Sequence, residues 1–283
     1  MRVYKLKQDL QAHLKKVLEL QNAIGLVPTM GALHQGHLSL VTTALKDNEV
    51  VVVSIFVNPT QFNNQNDLHN YPRTLDSDLK LLETLKNSNI IVYAPEASDV
   101  YQDEITAQSF SFDGLEHEME GEFRKGHFNG VATVVKNLFE IIKPHNAYFG
   151  EKDFQQLQIV RKLVEITGFD INIIGCPILR ENDGLAMSSR NGRLTQEQRN
   201  VVPFIYKTLK TAKVKFGTKS ANEVSEWVKS EFANHKLLAL EYFTIANETT
   251  LKPVKRKNKQ NKCRAFIAVF VGDVRLIDNI ELN

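Results

Sequence analysis

The sequence predicts an α/β fold, in which a mostly parallel sheet with flanking helices is followed by a smaller α+β domain. Over the first two thirds of the 283-residue chain, short and almost continuously apolar segments alternate with segments of helical periodicity. This alternation is typical of parallel strands that are buried on both faces. After about Arg193 the order changes to helices followed by strands, which indicates a separate domain. We predict domains at residues 1–178 and 179–283.

Five strands and four helices are predicted between the N-terminal region and the domain boundary. The strand segments are AIGLVPT, EVVVVSIFV, NIIVYA, NAYFG and DINIIGCPI. The helical segments are HLSLVTTALKDN, TLDSDLKLLETLKN, VATVVKNLFEIIK and DFQQLQIVRKLVEITG. The first 20 residues have the pattern of one charged amphipathic helix. Ligands of such sheets bind at the carboxyl ends of the strands, so we expect the functional residues there.

The second predicted domain contains two helices and three strands. The helical segments are TQEQRNVVPFIYKTLKTAKVKFG and SANEVSEWVKSEFANH, and the strand segments are LEYFTIAN, CRAFIAVFV and VRLIDNIEL. Between the first two strands, residues 251–264 carry seven basic residues and no acidic one. A solvated hairpin loop is the simpler interpretation of this basic segment, and contact with nucleic acid is the alternative.

Composition and charge argue against several classes of protein. The apolar fraction of 42% and the charged fraction of 24% are ordinary for a globular protein. A formal net charge of +2 argues against a main role in coating nucleic acid or an anionic membrane. The N-terminus lacks the apolar core of a signal peptide, and no segment approaches transmembrane length. Cys176 and Cys263 fit neither a zinc site nor a disulfide framework, so we expect a cytoplasmic protein.

The segment PTMGALHQGH, residues 28–37, is the first candidate binding site. It follows a predicted strand and precedes a helix that we expect to begin at about His37, so helix N–H groups and the positive end of the helix dipole lie beside it. His34 and His37 are three positions apart, and both imidazoles can face one side of the first turn. Such donors suit a polyphosphate whose charge grows during a reaction. A glycine turn with two surface histidines is the alternative, and zinc lacks a third ligand nearby in sequence.

A second segment, GLAMSSRNGRL, offers hydroxyl groups and a guanidinium on a glycine-flanked loop. Ser188, Ser189 and Arg190 are suited to phosphate oxygens, although such loops are common on protein surfaces. Together with the H-x-G-H pattern, the segment resembles the signature pair of the class I aminoacyl-tRNA synthetase and nucleotidylyltransferase superfamily. The resemblance implies that the protein activates an acid or transfers a nucleotide from ATP.

Two more segments follow predicted strands. In YFGEKDFQQLQIV, Gly150 allows close backbone approach, Lys152 can meet a phosphate, and Asp153 can cap the helix or bind a ribose hydroxyl. After the second predicted strand, Asn58 and Gln61 can form directional hydrogen bonds with a polar substrate. Neutral amides there indicate recognition of hydroxyl and carboxylate groups rather than of a metal.

Six segments in collinear order resemble the pantoate–β-alanine ligase (pantothenate synthetase) family. They are PTMGALHQGH, IFVNPTQF, YPRTLDSDL, GHFNGVATVV, GEKDFQQL and LAMSSRN. The resemblance implies a Rossmann-like catalytic domain, a small C-terminal domain and a homodimer. It also implies that ATP and pantoate form pantoyl adenylate and pyrophosphate, after which β-alanine displaces AMP, with Mg²⁺ as the cofactor. Lys125 and Asn63 depart from the residues expected in many relatives, but neither lies in the proposed chemistry.

The resemblance implies a role for each motif. The residues implied to bind ATP are Met30, Gly31, His34, Gly36, His37, Gly150, Glu151, Lys152, Asp153, Leu179, Met187, Ser188, Ser189 and Arg190. The residues implied to bind pantoate or β-alanine are Gln61, Gln156 and Asn58. His37, His34 and Lys152 are the expected catalytic residues, with His37 as donor to the departing group. Asp78 is expected to help position magnesium.

Three other functions compete with this one. Another acid-activating or nucleotide-transferring enzyme of the superfamily is the first, although a phosphorylated acceptor would favour basic residues where Gln61 and Gln156 stand. A nucleic-acid-binding module that uses the basic segment is the second. A catalytically silent ATP sensor is the third, and the intact histidines and lysine argue against it. We expect small-molecule substrates, and neither nucleic acid nor a membrane as partner.

Overall fold

The computed structural model describes residues 1–63, 65–101, 104–258 and 260–283, and its architecture confirms the predicted α/β class. The strands are β1 (Arg2–Tyr4), β2 (Ile24–Thr29), β3 (Val50–Ile55), β4 (Ile90–Tyr93), β5 (Asn146–Gly150), β6 (Asn172–Cys176), β7 (Leu238–Asn247), β8 (Cys263–Val271) and β9 (Val274–Glu281). The helices are α1 (Lys7–Glu19), α2 (Gln35–Asp47), α3 (Gln65–His69), α4 (Leu75–Glu83), α5 (Ala97–Val100), α6 (Glu120–Phe123), α7 (His127–Ile142), α8 (Phe154–Thr167), α9 (Gln196–Val201), α10 (Pro203–Phe216) and α11 (Ala221–Ala233). Short 3₁₀ helices occur at Pro59–Gln61, Leu115–His117, Glu151–Asp153 and Ser189–Arg193.

The first of two compact units comprises Met1–Glu151 and Gln156–Pro177. Its sheet has the strand order β1-β4-β3-β2-β5-β6, and every described pair is parallel. The chain builds outward from β2 through β3 to β4, and then crosses over to place β5 on the other side of β2. The order of the strands therefore reverses between β2 and β5, which is where open α/β sheets bind their ligands.

The sheet of the first unit is apolar on both faces, as its sequence predicts. Leu26 and Val27 in β2 and Val52 and Val53 in β3 are completely buried, although each pair of neighbours points to opposite faces. The helix α2 covers one face, and Val41 is among the buried residues that it contributes to this core. A continuously buried sheet gives the loops at its carboxyl edge a rigid support.

The second unit comprises Lys152–Gln155 and Ile178–Asn283. Its sheet is antiparallel in the order β7-β8-β9, with a register shift between Leu240 and Tyr242 in β7. Its core combines residues of α10, α11 and all three strands. The short segment Lys152–Gln155 groups with this unit rather than with the first one, and the domain boundary expected between residues 178 and 179 stays a prediction.

Several elements differ from the prediction, among them the short helices α3, α5 and α6, where no helix was predicted. Arg2–Tyr4 form an edge strand that pairs with β4, within the stretch predicted as one N-terminal helix. The helix predicted from Thr195 to Gly217 is two helices, α9 and α10, because Pro203 lacks an N–H and occupies the first turn of the second one. Across the described ranges, no helix is long and apolar enough to cross a membrane.

Candidate functional site

The loop between β2 and α2 turns sharply at the reversal point of the sheet. Gly31 has a φ of 79° and Ala32 a φ of 49°, both in the left-handed region. A Cβ on Gly31 would lie 3.1 Å from Oδ2 of Asp78, which is tighter than an ordinary contact. Glycine is therefore favoured at position 31 both by the backbone conformation and by the close approach of the carboxylate.

His34 and His37 form a capping box at the N-terminus of α2, which begins at Gln35 rather than at His37. The backbone N–H of Gly36 donates to Nδ1 of His34 at 3.1 Å, and the N–H of His34 donates to Nδ1 of His37 at 3.2 Å. The two ring centroids are 4.1 Å apart. Because each Nδ1 accepts a hydrogen bond, a neutral ring carries its proton on Nε2. The box therefore provides two Nε2–H donors at the positive end of a helix dipole.

The carboxylate of Asp78 in α4 holds the same loop. Its Oδ1 accepts a hydrogen bond from the N–H of Leu33 at 2.8 Å, and its Oδ2 accepts one from the N–H of Ala32 at 3.1 Å. Thr74 Oγ1 also donates to Oδ1, at 3.2 Å. The side chain is buried, and this desolvation raises the pKa of Asp78 while the hydrogen bonds oppose the rise.

These partners bear on the magnesium prediction for Asp78. Within the ranges that the structure covers, no group of three or more His, Cys, Asp or Glu side chains could hold a metal ion. Magnesium that arrives on a nucleotide does not need such a cluster, because it is usually held by phosphates, water and one or two carboxylates. Asp78 fits that minimal donor set, and its role toward magnesium stays a prediction.

Asn58 and Gln61 lie at the carboxyl end of β3, around the 3₁₀ helix Pro59–Gln61. Asn58 Nδ2 donates to Gln61 Oε1 at 3.1 Å, and Gln61 Nε2 donates to Met30 Sδ at 3.2 Å. The structure thus brings Met30, Asn58 and Gln61 together. Asn58 is only 1% exposed and both ends of its amide have protein partners, and its role in substrate binding stays a prediction.

The strand β5 lies beside β2, and its last residue is Gly150. Glu151 follows, and Gln156 occupies the first turn of α8, where it is half-buried. Because parallel neighbours end at the same edge of a sheet, Gly150 and Glu151 lie at the edge that carries the loop after β2. Cys176, at the end of β6, is buried, and burial raises the pKa of its thiol to about 11, so it is not a nucleophile near neutral pH.

In the second unit, the segment that contains Lys152 and Asp153 is attached to the C-terminal sheet. Asn279 Nδ2 in β9 donates to the carbonyl oxygen of Lys152 at 2.9 Å, and Arg264 Nη1 in β8 donates to Asn279 Oδ1 at 2.7 Å. The Arg264 guanidinium also lies 4.0 Å from the ring centroid of Phe154. The backbone at the candidate lysine is therefore positioned by a buried polar network.

The loop from Leu179 to Arg190 folds back on itself within the second unit. Met187 N donates to the carbonyl of Leu179 at 3.0 Å, and an isolated bridge joins Arg180 to Ala186. Ser188 Oγ accepts from the N–H of Arg190 at 3.3 Å and caps the 3₁₀ helix Ser189–Arg193. The structure thus brings Leu179 next to Met187, followed directly by the serine and arginine side chains.

A buried ion pair supports this loop. Arg180 donates through Nη1 and Nη2 to the carboxylate of Asp278, at 2.6 and 2.9 Å, and its guanidinium lies 3.7 Å from the ring centroid of Tyr206. The sequence reasoning missed these residues and Asn279. The sequence gives a weak signal for them, because Asp278 and Asn279 are adjacent polar residues between the apolar residues Leu276, Ile277 and Ile280 of β9.

The basic segment 251–264 connects β7 and β8, as a hairpin loop would. Val254 N donates to the carbonyl of Ile245 at 3.0 Å, and the residues at 255–258 are exposed. Lys259 lies outside the described residues. Arg264 is 6% exposed and pairs with Glu248, so it belongs to the core of the sheet rather than to a basic surface.

A parallel sheet with an imidazole-capped helix N-terminus at its reversal point is the architecture of a nucleotide-binding α/β enzyme. The sequence profile of the pantoate-beta-alanine ligase family matches residues 2–281. The pantothenate synthetase of Christiangramia forsetii is 57% identical over 283 residues, covering 100% of both chains. That of Bacteroides fragilis strain YCH46 is 50% identical over 281 residues, covering 99% of each chain. The chain therefore belongs to the pantoate–β-alanine ligase family and is an enzyme of that class.

Solved structures agree with this assignment. The crystal structure of pantothenate synthetase from Thermus thermophilus matches with a TM-score of 0.90 and 38% identity, covering 100% of this chain and 99% of that one. The pantoate-beta-alanine ligase from Francisella tularensis, complexed with beta-gamma ATP and beta-alanine, matches with a TM-score of 0.81 and 36% identity. That match covers 100% of this chain and 98% of the other. The predicted two-part fold is confirmed.

Proposed function

We propose that the protein joins (R)-pantoate to β-alanine in two steps, using ATP, through a pantoyl-adenylate intermediate, and releases AMP and pyrophosphate. The observation that carries the proposal is the capping box, in which His34 and His37 offer Nε2–H donors at a helix N-terminus. The beta-gamma ATP and beta-alanine named for the Francisella tularensis relative correspond to two of the substrates of this reaction.

In the first step, a carboxylate oxygen of pantoate attacks the α-phosphorus of ATP. The new O–P bond forms as the P–O bond to pyrophosphate breaks, so negative charge grows on the departing phosphates. His37 donates a hydrogen bond or proton to the departing group, and His34 assists. Lys152 and Arg190 add positive charge, and such preorganised donors lower the barrier because they strengthen as the charge develops.

The remaining nucleotide contacts are proposed on the same basis. The residues proposed to bind ATP are Met30, Gly31, His34, Gly36, His37, Gly150, Glu151, Lys152, Asp153, Leu179, Met187, Ser188, Ser189 and Arg190. For the residues of the second unit, the proposal rests on their side-chain chemistry and on their motifs. Bound magnesium would be held mainly by the phosphates, with Asp78 as the candidate protein donor, and would neutralise part of their charge.

In the second step, the neutral amine of β-alanine attacks the acyl carbon of the adenylate. The C–N bond forms, the C–O bond to AMP breaks, and the nitrogen loses a proton. Gln61 and Gln156 are proposed to bind pantoate, and Gln61 also contacts β-alanine. This step depends on positioning, and on exclusion of water from the adenylate, because hydrolysis would consume ATP without product.

The dependence of product formation on each substrate tests the proposal. AMP and pyrophosphate should form in steady turnover only when ATP, Mg²⁺, pantoate and β-alanine are all present. Without β-alanine, the enzyme should release at most one equivalent of pyrophosphate. Strong activity with an unrelated acid, and none with pantoate, would reject the substrate assignment and favour another enzyme of the superfamily.

Isotope transfer tests the intermediate directly. Pantoate that carries ¹⁸O in its carboxylate should pass one labelled oxygen to the phosphate of AMP, because that oxygen becomes the bridge of the adenylate. Formation of ADP and inorganic phosphate would indicate an acyl phosphate instead. We also propose a cytoplasmic homodimer from the family resemblance, and sedimentation of the purified enzyme at several concentrations tests its subunit number.

A further inference from the structure

The amide of Asn58 has its orientation set by two backbone groups. Its Nδ2 donates to the carbonyl oxygen of Gly130 at 3.1 Å, a group that can only accept. Its Oδ1 accepts from the backbone N–H of Thr60 at 3.4 Å, a group that can only donate. The assignment of the oxygen and the nitrogen of Asn58 therefore follows from its partners, and the reversed orientation would lose both hydrogen bonds.

Tyr101 strengthens this orientation. Its hydroxyl donates to Asn58 Oδ1 at 2.5 Å and lies 2.9 Å from Thr60 Oγ1. Burial raises the pKa of Tyr101, so the phenol stays protonated and remains a donor at neutral pH. Tyr101 is 4% exposed and lies outside every motif that the sequence singles out.

The orientation of Asn58 sets that of Gln61. The second hydrogen of Asn58 Nδ2 is donated to Gln61 Oε1 at 3.1 Å, so the Gln61 amide directs its Nε2 toward Met30 Sδ, 3.2 Å away. A thioether sulfur is a weak acceptor. An oxygen of a carboxylate or hydroxyl group is a much better partner for the N–H groups of this amide.

The backbone beneath this chain of side chains is fixed as well. A Cβ on Gly130 would lie 2.3 Å from the carbonyl oxygen of Thr60, so no side chain fits there. The ring Nδ1 of His127 lies 2.8 Å from the carbonyl oxygen of Gln61. Both contacts hold the 3₁₀ helix Pro59–Gln61 against α7. The backbone that carries the Asn58 and Gln61 side chains is therefore fixed in position.

We propose that Tyr101 and Asn58 are positioning residues that lock the Gln61 amide with its N–H donors toward the substrate, so that this position selects an oxygen acceptor of pantoate. The inference rests on the proposed binding of pantoate by Gln61. Tyr101 and Asn58 act through Gln61 and make no substrate contact of their own. A reversed Gln61 amide would present its oxygen to a substrate oxygen, and the two would repel each other.

Tyr101→Phe is the first test, because it removes one hydroxyl group and conserves the shape of the ring. We expect the KM for pantoate to rise about fivefold, the size of one lost hydrogen bond, while the KM for ATP changes by less than about twofold. Asn58→Asp replaces the donating nitrogen with an acceptor, so the Gln61 amide reverses and the KM for pantoate should rise at least about tenfold.

A double-mutant cycle separates positioning from a structural role. In a Gln61→Ala background, Tyr101→Phe should leave kcat/KM for pantoate unchanged within about twofold, because the side chain through which it acts is gone. Tyr93→Phe is the matched control: Tyr93 is buried in the same unit and donates to Asp99 at 2.6 Å. This control should lower the melting temperature without changing the KM for pantoate.

Each outcome decides between the alternatives. Additive effects of Tyr101→Phe and Gln61→Ala, or equal rises in the KM for pantoate and for ATP, would overturn the positioning role. If Asn58→Asp fails to fold, the cycle with Tyr101→Phe still decides the inference. A wild-type enzyme that does not use pantoate would instead overturn the proposed function, which makes the two failures distinguishable.

Discussion

The two compact units hold their candidate phosphate-binding groups in place in different ways. In the first unit, His34 and His37 are held by backbone hydrogen bonds within a single turn of chain. In the second unit, Lys152 and the loop after Leu179 are supported by side chains of β8 and β9, 98 to 127 positions away in sequence. The first arrangement is local, and the second depends on the folded sheet. We therefore expect substitutions of the histidines to lower the reaction rate alone. Substitutions in β8 and β9 should also change the position of Lys152.

The largest expected effect separates the two roles of the imidazoles. Asn is as good an N-cap as any residue, and Gln is a preferred partner in a capping box, so His34→Asn and His37→Gln should preserve the helix N-terminus. Both replace an imidazole, which can release a proton from Nε2, with an amide, which cannot, and each should lower kcat by about 100-fold or more. Steady-state kinetics and thermal unfolding check this prediction.

The control for these variants is His117→Asn, since the His117 side chain is 79% exposed. It should leave kcat unchanged. If His34→Asn and His37→Gln were both fully active, the imidazoles would serve only as caps, and the local arrangement would carry no chemistry.

Two substitutions in the second unit test the chemical role of Lys152 and the support of its backbone separately. Lys152→Ala should lower kcat by about 100-fold, as expected for a lost transition-state donor. Asn279→Ala leaves the Lys152 carbonyl and Arg264 with one buried partner fewer, which should cost about 1–3 kcal/mol of stability and about tenfold in kcat/KM for ATP. Asn283→Ala is the matched control, because Asn283 accepts from the N–H of Cys263 and donates to the carbonyl oxygen of Asn261, and neither hydrogen bond involves Lys152. Equal effects of the two asparagine variants would argue against support of Lys152 by Asn279.

Asp78→Asn tests the support of the first loop. An amide can accept a hydrogen bond from only one of Ala32 and Leu33, so its NH₂ group would face the other N–H. Hydrogen bonds to charged groups contribute about 1.5–3 kcal/mol, so kcat/KM for ATP should fall about tenfold or more. Asp76→Asn, on the exposed face of the same helix, should have no effect. An unchanged ATP dependence in Asp78→Asn would mean that the loop is held by its own capping box.

The smallest expected effect concerns pH. The hydrogen bond and ion pair with Arg199 lower the pKa of Asp183, and both side chains are partly exposed. The carboxylate therefore contributes stability above its unfolded pKa of about 3.9, and that contribution is lost as the pH falls through its lower folded value. Solvent screening limits the contribution to about 0.5 kcal/mol. Asp183→Asn should thus lower the melting temperature slightly at pH 7, and not at pH 2. A larger loss in acid than at neutral pH would contradict this sign.

Much of the fold could be predicted because local sequence patterns indicate its strands and helices. The apolar runs of β2, β3 and β5 mark strands that are buried on both faces, and all were placed within a few residues. The edge strand β1 was missed because Arg2–Tyr4 are too short and too polar to show a pattern apart from the sheet. The break at Pro203 was missed because the helical spacing continues on both sides of the proline.

In the candidate site, too, the sequence identified the residues whose partners are close in sequence and missed those whose partners are distant. His34, His37 and Gly31 were identifiable because a strand, a turn and a helix start within ten residues, and sequence spacing alone brings such neighbours together. The contact between Asn58 and Gln61 also spans only three positions. Tyr101, Asp278 and Asn279 were not identifiable, because their partners lie 41 to 127 positions away.

The sequence by itself determined the α/β class, the family and the chemistry-bearing motifs, because apolar periodicity and short motifs are properties of neighbouring residues. Only the tertiary structure decided which way the Gln61 amide points and which sheet supports Lys152. These properties depend on hydrogen-bond partners from distant parts of the chain. A buried donor or acceptor must find a partner, and folding alone determines which one is within reach.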